Sequence, residues 1–414
     1  MKPDLSSLRV MEVATAISVP LIGEVLANLG ADVLKIESLQ RLDGNRVRAS
    51  RKGETGASGM NLDESAPLWH EFNSGKRSVT LNLKTDVGRE LFLQLIGKAD
   101  VFIQNFAPGW LERIDLGGEK LLEVNPRLIM LLASGYGQDG PLAQQRVYAP
   151  VMTALGGQEA LIGPSSGDVV GAMALAFGDF NAAHFGLPLL FGALYERETT
   201  GRGCIIDLAQ VAAVTSTLGE PLIEYQLTGQ LPTPVGANSP YRAPHGVFPC
   251  KGDDAWATLS IAIDSEWSAL ARLVASTAPD LQEAVLDKRW QTTGARLAGS
   301  EALASLLSRW TSRFEPKELA DLVQNAGLRC APVQFPDRME RDPHFEARRF
   351  TTVVQHPRVG PLEVTSTPWL FDGDTPTPRV AGPALGEATE AVLTGLLGLT
   401  HEQVEAYARE GYLA

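Results

Sequence analysis

Leu8-Arg-Val-Met-Glu-Val-Ala-Thr-Ala-Ile-Ser-Val-Pro-Leu-Ile-Gly-Glu-Val-Leu-Ala-Asn-Leu-Gly-Ala-Asp-Val-Leu-Lys-Ile-Glu37 contains a complete strand-helix-strand unit. Leu8 to Val13 is an apolar run of strand length. Pro20 to Leu29 has helical spacing and stops at Gly30, and Ala31 to Glu37 is a second strand. The pattern then repeats: strand Arg77 to Leu83, helix Val87 to Lys98, strand Asp100 to Gln104, a helical turn near Trp110, helix Lys120 to Val124 and strand Leu128 to Ala133. Strands separated by helices pair in parallel through right-handed crossovers, so the chain begins as a doubly wound α/β sheet. Glu37 ends the second strand where a ribose-binding acid often sits. The linking segment Ala14-Thr-Ala-Ile-Ser-Val-Pro20, however, has no glycine to admit a pyrophosphate, which argues against a nicotinamide enzyme. The loop from Arg41 to Ala66, rich in Gly, Ser and Arg, is too long for an idle connection and is expected to cover a site.

A second stretch carries the chemistry. Ala176-Phe-Gly-Asp-Phe-Asn-Ala-Ala-His-Phe-Gly186 opens a run of small and apolar residues that continues to Tyr195 and closes in Glu196-Arg-Glu-Thr-Thr-Gly-Arg-Gly203. It reads as one buried helix ended by glycine, with Asp179 as its N-cap and Pro188 either kinking it or marking its true first turn. Gly178, Asn181, Ala182 and Ala183 leave room for a bulky group to approach the carboxylate. A helix N-terminus also holds that carboxylate ionised. His184, on the same helix, reads as a packed core histidine.

Composition bounds the function. The 414 residues call for two domains or one large domain with an insertion. A net charge of -13 argues against nucleic acid and against an anionic membrane surface, so a polyanionic ligand needs a local basic cluster. Cys204, Cys250 and Cys330 show no C-x-x-C spacing and read as buried free thiols, and no His pair has metal-ligand spacing. The N-terminus lacks the pattern of a signal peptide, and no run of about 18 apolar residues offers a membrane span. A soluble cytoplasmic protein is the expectation.

Beyond Cys204, which opens another strand and helix, the composition shifts. Thr228 to Ala243 is rich in Pro and Gly. A hairpin follows within Gly246 to Ile263, then helices at Ser265 to Ala275, Ser300 to Arg313 and Pro316 to Ala326, and a strand at Cys330 to Val333. The expected organisation is a large α/β domain over residues 1–225, rejoined by 350–414, and a small α+β domain over 240–335. Linkers at 226–239 and 336–349 separate them.

Several segments together resemble the class III coenzyme A transferases of the CaiB/BaiF family, which includes formyl-CoA transferase and the α-methylacyl-CoA racemases. They are Leu29-Gly-Ala-Asp-Val-Leu-Lys-Ile-Glu37, Asn73-Ser-Gly-Lys-Arg-Ser-Val-Thr-Leu-Asn-Leu-Lys84, Ala99-Asp-Val-Phe-Ile-Gln-Asn-Phe-Ala-Pro-Gly109, Asn125-Pro-Arg127, Gly135-Tyr-Gly-Gln-Asp-Gly-Pro141, Gly178-Asp179 with Asn181, Thr200-Gly-Arg-Gly203 and Leu385-Gly-Glu387. The resemblance spans nearly the whole chain. It implies an interlocked homodimer, coenzyme A or acyl-CoA as substrate with no permanently bound cofactor and no metal, and a small carboxylic acid as co-substrate. Asp179 falls at the catalytic position. Ile17, Ser18, Leu81, Lys84, Asn105, Phe106, Arg113, Arg146 and Tyr148 fall where relatives line the coenzyme A site. Arg48 is expected near the acyl group, where it would pair with a second carboxylate of a dicarboxylic substrate.

The chemistry agrees with this without a general base. A free aspartate has a pKa of about 3.9 and is ionised at neutral pH. Moving coenzyme A between carboxylates releases no net proton. Tyr148 stands where the racemases carry a His, and racemisation needs an acid and a base on opposite faces of the α-carbon. Ile17 and Ala149 replace the Gln and Glu of formyl-CoA transferase, so a longer or more apolar acid than oxalate is expected. An acyl-CoA racemase and the coenzyme A-binding subunit of a heteromeric transferase are the alternatives.

Overall fold

The computed structural model describes residues 4–49, 60–62, 64–171, 176–339, 342–376 and 380–414. The chain divides into two compact units, residues 1–158, 172–223 and 343–414 in the first and 159–171 and 224–342 in the second.

The first unit is built on β1 (Arg9–Val13), β2 (Asp32–Glu37), β3 (Val47–Ala49), β4 (Met60–Leu62), β5 (Arg77–Thr80), β6 (Val101–Gln104), β7 (Ile129–Ser134) and β8 (Cys204–Ala209). Six of these form one parallel sheet in the order β5-β2-β1-β6-β7-β8. Both faces are covered, which is why the strands read as nearly continuous apolar runs. Val10, Val33, Val101, Ile103, Ile129 and Leu131 pack under α1 (Ser18–Asn28) and the long helix 177–200. Met11, Leu34, Phe102, Met130 and Leu132 face a separate layer that includes helix 86–96 and the C-terminal helices. The C-terminal segment also closes one sheet edge: Ala388 N–H donates to Ser78 C=O at 3.0 Å, and Thr80 N–H donates to Thr389 Oγ1 at 2.9 Å.

The remaining helices of the site's surroundings are α2 (Pro67–Asn73), α3 (Asp86–Ile96), α4 (Trp110–Arg113), α5 (Gly118–Val124), α6 (Ala149–Leu155), α7 (Phe177–Thr200) and α8 (Gln210–Thr215). α7 corrects three expectations. It begins a turn earlier than the capping preference of Asp179 suggested, so Ala176 is the N-cap and Asp179 is the third helical residue. It runs through Pro188 without interruption and ends at Gly201, whose φ of 68° suits a residue without Cβ. It is also not buried all round: Asn181, Ala182, Ala183, Gly186 and Leu190 face inward, whereas Phe180, Phe185, Leu189, Phe191 and Tyr195 are exposed, and so is His184. At Gly186 the helix passes tightly against α1, because a Cβ there would lie 2.8 Å from Ile22 Cδ1.

Two hairpins lie where periodicity is too short to register. One is β3 with β4, inside the loop expected to cover a site. The other, Thr351–His356 with Gly360–Thr365, is in the returning segment. Cys204 is exposed on the edge strand β8, not buried as expected, whereas Cys250 and Cys330 are buried, and all three are free. In the second unit an antiparallel sheet, β9 (His245–Pro249), β10 (Trp256–Ser260) and β11 (Arg329–Pro332), packs through Phe248, Leu259 and Cys330 on helices 264–277, 300–311 and 316–325.

Candidate active site

In a doubly wound sheet, ligands bind beyond the carboxyl ends of the strands where the strand order reverses, here between β1 and β6. A cavity of about 260 Å³ opens at that place. Its walls come from the ends of four strands: Val13, Ala14 and Thr15 after β1; Ile36, Glu37 and Ser38 after β2; Leu81, Asn82, Leu83 and Lys84 after β5; Phe106, Trp110 and Ile114 after β6. Gln40, Arg41 and Asp43 complete it. The Phe106 and Trp110 rings lie 4.6 Å apart at 31° and Arg41 sits 5.4 Å from the Phe106 ring centre, giving an apolar, aromatic wall edged by the cations Arg41 and Lys84. That combination suits a planar base joined to phosphates. Glu37 is unavailable to a ribose, because Arg46 grips it through Nε at 2.9 Å and Nη2 at 2.8 Å.

Asp179 connects to this cavity through a chain of contacts. Thr15, in the cavity wall, exchanges hydrogen bonds with Asn105: its N–H donates to Asn105 Oδ1 at 3.0 Å, and Asn105 Nδ2 donates to its C=O at 2.7 Å. The same Nδ2 lies 3.3 Å from Ser18 Oγ. Ser18, fully buried at the first position of α1, meets the Asp179 carboxylate with both its backbone N–H and its hydroxyl. The N-terminal turns of α1 and α7 thus converge on one carboxylate, and their dipoles favour its ionised form. Burial raises the Asp179 pKa from its ordinary value, against the lowering effect of the Ser18 donors.

Beneath this turn lies a buried ionic cluster. Lys35 Nζ is 2.8 Å from Glu12 Oε1 and 3.4 Å from Asp43 Oδ2, and Lys76 Nζ is 2.8 Å from Glu12 Oε2. With Arg46 and Glu37 the cluster holds three carboxylates and three cations. Burial disfavours the Lys35 ammonium, but the charges of Glu12, Asp43 and Glu37 outweigh it and raise its pKa. Lys76, with fewer acids around it, is lowered by burial to about 8. Gly23 of α1 passes directly over the cluster, where a Cβ would fall 2.0 Å from Glu12 Oε2. Both lysines also donate to the site's turn, Lys35 to Ala14 C=O and Lys76 to Pro20 C=O, each at 2.8 Å.

Glu24 lies close enough to Lys76 for that cation to favour its ionised form, but burial outweighs the attraction. Burial raises its pKa to about 8, and its partners are Asn28 and Ser74. It is therefore protonated when folded at neutral pH and ionised when unfolded. Because its folded pKa is the higher, the stability it contributes is complete below about 4.5 and is lost as pH rises towards about 8. Glu24→Gln is expected to flatten this part of the stability-pH curve and to exceed the wild type above pH 8. Urea melts of both proteins between pH 5 and pH 9 check it; parallel curves contradict it.

Of the residues singled out from sequence, Leu81, Lys84 and Phe106 line the cavity, Ile17 and Ser18 belong to the turn between it and Asp179, and Asn105, directly after β6, is hydrogen-bonded to that turn. Arg113 is exposed on α4 with Nη1 3.4 Å from Pro108 C=O. Arg146 and Tyr148 are exposed before α6, and none of these three lines the cavity. Arg48 lies on β3, and its side chain falls outside the described residues. Arg41, Trp110 and Asp43 were not singled out; the signal available was a basic and an acidic residue in the covering loop and an aromatic one turn beyond Phe106. Among the described residues no three His, Cys, Asp or Glu side chains form a candidate metal site, and no helix is long and apolar enough to cross a membrane.

Comparisons with known proteins agree over the full length. The chain is 29% identical over 402 residues to the succinyl-CoA--D-citramalate CoA-transferase of Chloroflexus aurantiacus, covering 97% of this chain and 96% of that one. It is 32% identical over 404 residues to the succinyl-CoA--L-malate CoA-transferase beta subunit of the same organism, with 97% and 96% covered. The crystal structure of a CAIB/BAIF family protein from Brucella suis superposes with a TM-score of 0.83 at 28% identity, covering 96% of this chain and 100% of the other. The family model described as CoA-transferase family III matches residues 5–389. With its parallel sheet, its switch-point cavity and these full-length matches, the chain belongs to CoA-transferase family III.

Proposed function

We propose that this enzyme moves coenzyme A between dicarboxylic acids, with succinyl-CoA as donor and Asp179 as the nucleophile. The Asp179 carboxylate attacks the thioester carbonyl and expels the coenzyme A thiolate, giving a mixed anhydride. The thiolate returns to the Asp179 acyl carbon and releases the donor acid. The acceptor carboxylate then attacks the aspartyl thioester, giving a second mixed anhydride and the thiolate, and thiolate attack on the acceptor's acyl carbon delivers its thioester and frees the Asp179 carboxylate. No proton is gained or lost, so the absence of a His at Tyr148 is no obstacle. First-turn amides of α7 and the Ser18 donors are the candidate oxyanion ligands.

The observation that carries this reading is the meeting of Ser18 and Asp179 beside the switch-point cavity. Within the cavity, Lys84 and Arg41 would meet phosphates and the Phe106–Trp110 wall would meet adenine. Arg113, Arg146 and Tyr148 are assigned to the outer approach. The dicarboxylate follows from the relatives, whose names couple succinyl-CoA with D-citramalate or L-malate. Arg48 is assigned to the distal carboxylate. Arg48→Ala is expected to raise KM for succinyl-CoA and for a dicarboxylic acceptor about 10- to 100-fold, the worth of one charge-assisted pair, with little change for a monocarboxylic thioester. Equal changes for both substrate types would remove Arg48 from this role.

The exposed Phe180, Phe185, Leu189, Phe191 and Tyr195 form an apolar surface that supports the interlocked homodimer. A pairing with an unlike subunit is the second reading, favoured by the relative named as a beta subunit. One experiment tests the function and separates the two: the chain expressed alone is incubated with succinyl-CoA, quenched with hydroxylamine and peptide-mapped. A hydroxamate on the Asp179 peptide, with turnover on adding an acceptor acid, supports the homomeric transferase. An unmodified protein that still binds coenzyme A favours the missing subunit.

A further inference from the structure

The turn from β1 to α1 brings Ser18 to Asp179, and it does so in a shape that its own sequence disfavours. Ala16 holds φ at 63°, where a Cβ is penalised and glycine enters freely. Side chains from the covering loop grip Ala16 at both ends. Asp43 Oδ1 accepts its N–H at 3.2 Å, and Asn45 Nδ2 donates to its C=O at 2.7 Å. Asp43 is itself fixed: it is 3% exposed, its Oδ1 also accepts Asn45 N–H at 3.0 Å, and its Oδ2 lies 3.4 Å from the buried Lys35 Nζ. Two residues after Ala16, the Ser18 amide and hydroxyl meet the Asp179 carboxylate.

We propose that Asp43 is a positioning residue for the transfer reaction, holding Ala16 in its left-handed conformation and so aiming the Ser18 donors at Asp179. The proposal rests on Asp179 being the nucleophile. Asp43 also borders the cavity, so two roles need to be told apart. A carboxylate that met the ligand directly would act on KM. One that sets the turn acts on the rate at which Asp179 is acylated, because small displacements of reacting groups cost large factors in rate.

The test measures kcat, KM for succinyl-CoA and the single-turnover rate of Asp179 acylation in Asp43→Ala, Asp43→Asn and the double variant Asp43→Ala with Ala16→Gly. Asp43→Ala is expected to slow acylation roughly 30- to 100-fold with KM changed less than about threefold. Asp43→Asn, which retains an oxygen for the Ala16 N–H, is expected to lose less than about tenfold. Adding Ala16→Gly is expected to restore at least about tenfold, since glycine keeps the conformation without the clamp. An unchanged acylation rate in Asp43→Ala, a loss confined to KM, or no recovery with Ala16→Gly each overturns the proposal. If Asp43→Ala does not fold, Asn45→Ala carries the test, with a loss of about five- to tenfold expected, recovered by Ala16→Gly, and an unchanged rate overturning it. Wild-type protein that turns over without label on Asp179 would instead refute the nucleophile assignment, a separate result.

Discussion

Asp179→Asn is expected to bind coenzyme A thioesters within a fewfold of wild type and to lose roughly 10⁴-fold or more in kcat, because a carboxamide is no nucleophile towards a thioester and no neighbouring group replaces it. The substitution is nearly isosteric at a half-buried first-turn position, so the helix and the Ser18 contact geometry survive it. Coupled assay of transfer and calorimetry of coenzyme A binding measure the two quantities independently. Loss of both would mean a damaged fold, and retention of transfer would remove Asp179 from the mechanism. In the wild type, attack requires the ionised carboxylate. Because burial raises the Asp179 pKa, the acid limb of kcat is expected to fall above the ordinary aspartate range, with activity lost as pH decreases through it.

Glu12→Ala is expected to destabilise the first unit by about 3–5 kcal/mol, because it leaves Lys35 and Lys76 buried without the carboxylate they share. Glu12 bridges the two ammonium groups at 2.8 Å on each side, and all three side chains are buried. Removing either lysine alone leaves Glu12 one partner; removing Glu12 takes the ion-pair partner from Lys76 and leaves Lys35 with Asp43, the two like charges facing each other unscreened. Glu12→Gln keeps the volume and is expected to lose less, although the amide supplies no charge. Urea melts followed by circular dichroism on the full chain give the measurement, read from the transition of the first unit. A loss below about 1 kcal/mol would mean that one lysine is neutral when folded, as the lowered pKa of Lys76 makes easiest for that residue.

The buried cluster shows where sequence reading stops short. Glu12 and Lys35 interrupt two otherwise apolar strands, Val10 to Val13 and Val33 to Ile36, and in the sheet they stand directly opposite each other. A charge in a strand covered on both faces requires a partner, so this pair was open to inference from sequence. Asp43, Arg46 and Lys76 were not, since they come from a loop and from the segment before β5. Asp179 was legible as chemistry but misplaced as structure: its capping preference suggested the helix boundary, whereas Phe177 and Gly178 had already begun the helix. Arg41 and Trp110 escaped notice because a loop arginine and a lone tryptophan carry no period.

The sequence by itself determined the parallel α/β architecture and the family, because alternating apolar runs impose secondary structure locally and the family segments follow one another along the chain. The tertiary structure alone decided which side chains share a space. The left-handed turn at Ala16, the meeting of Ser18 with Asp179 and the charge cluster beneath them join residues far apart in sequence: packing of α1 against α7 over the sheet brings Ser18 to Asp179, the covering loop brings Asp43 and Asn45 to Ala16, and the folded sheet gathers Asp43 and Lys76 around Glu12 and Lys35.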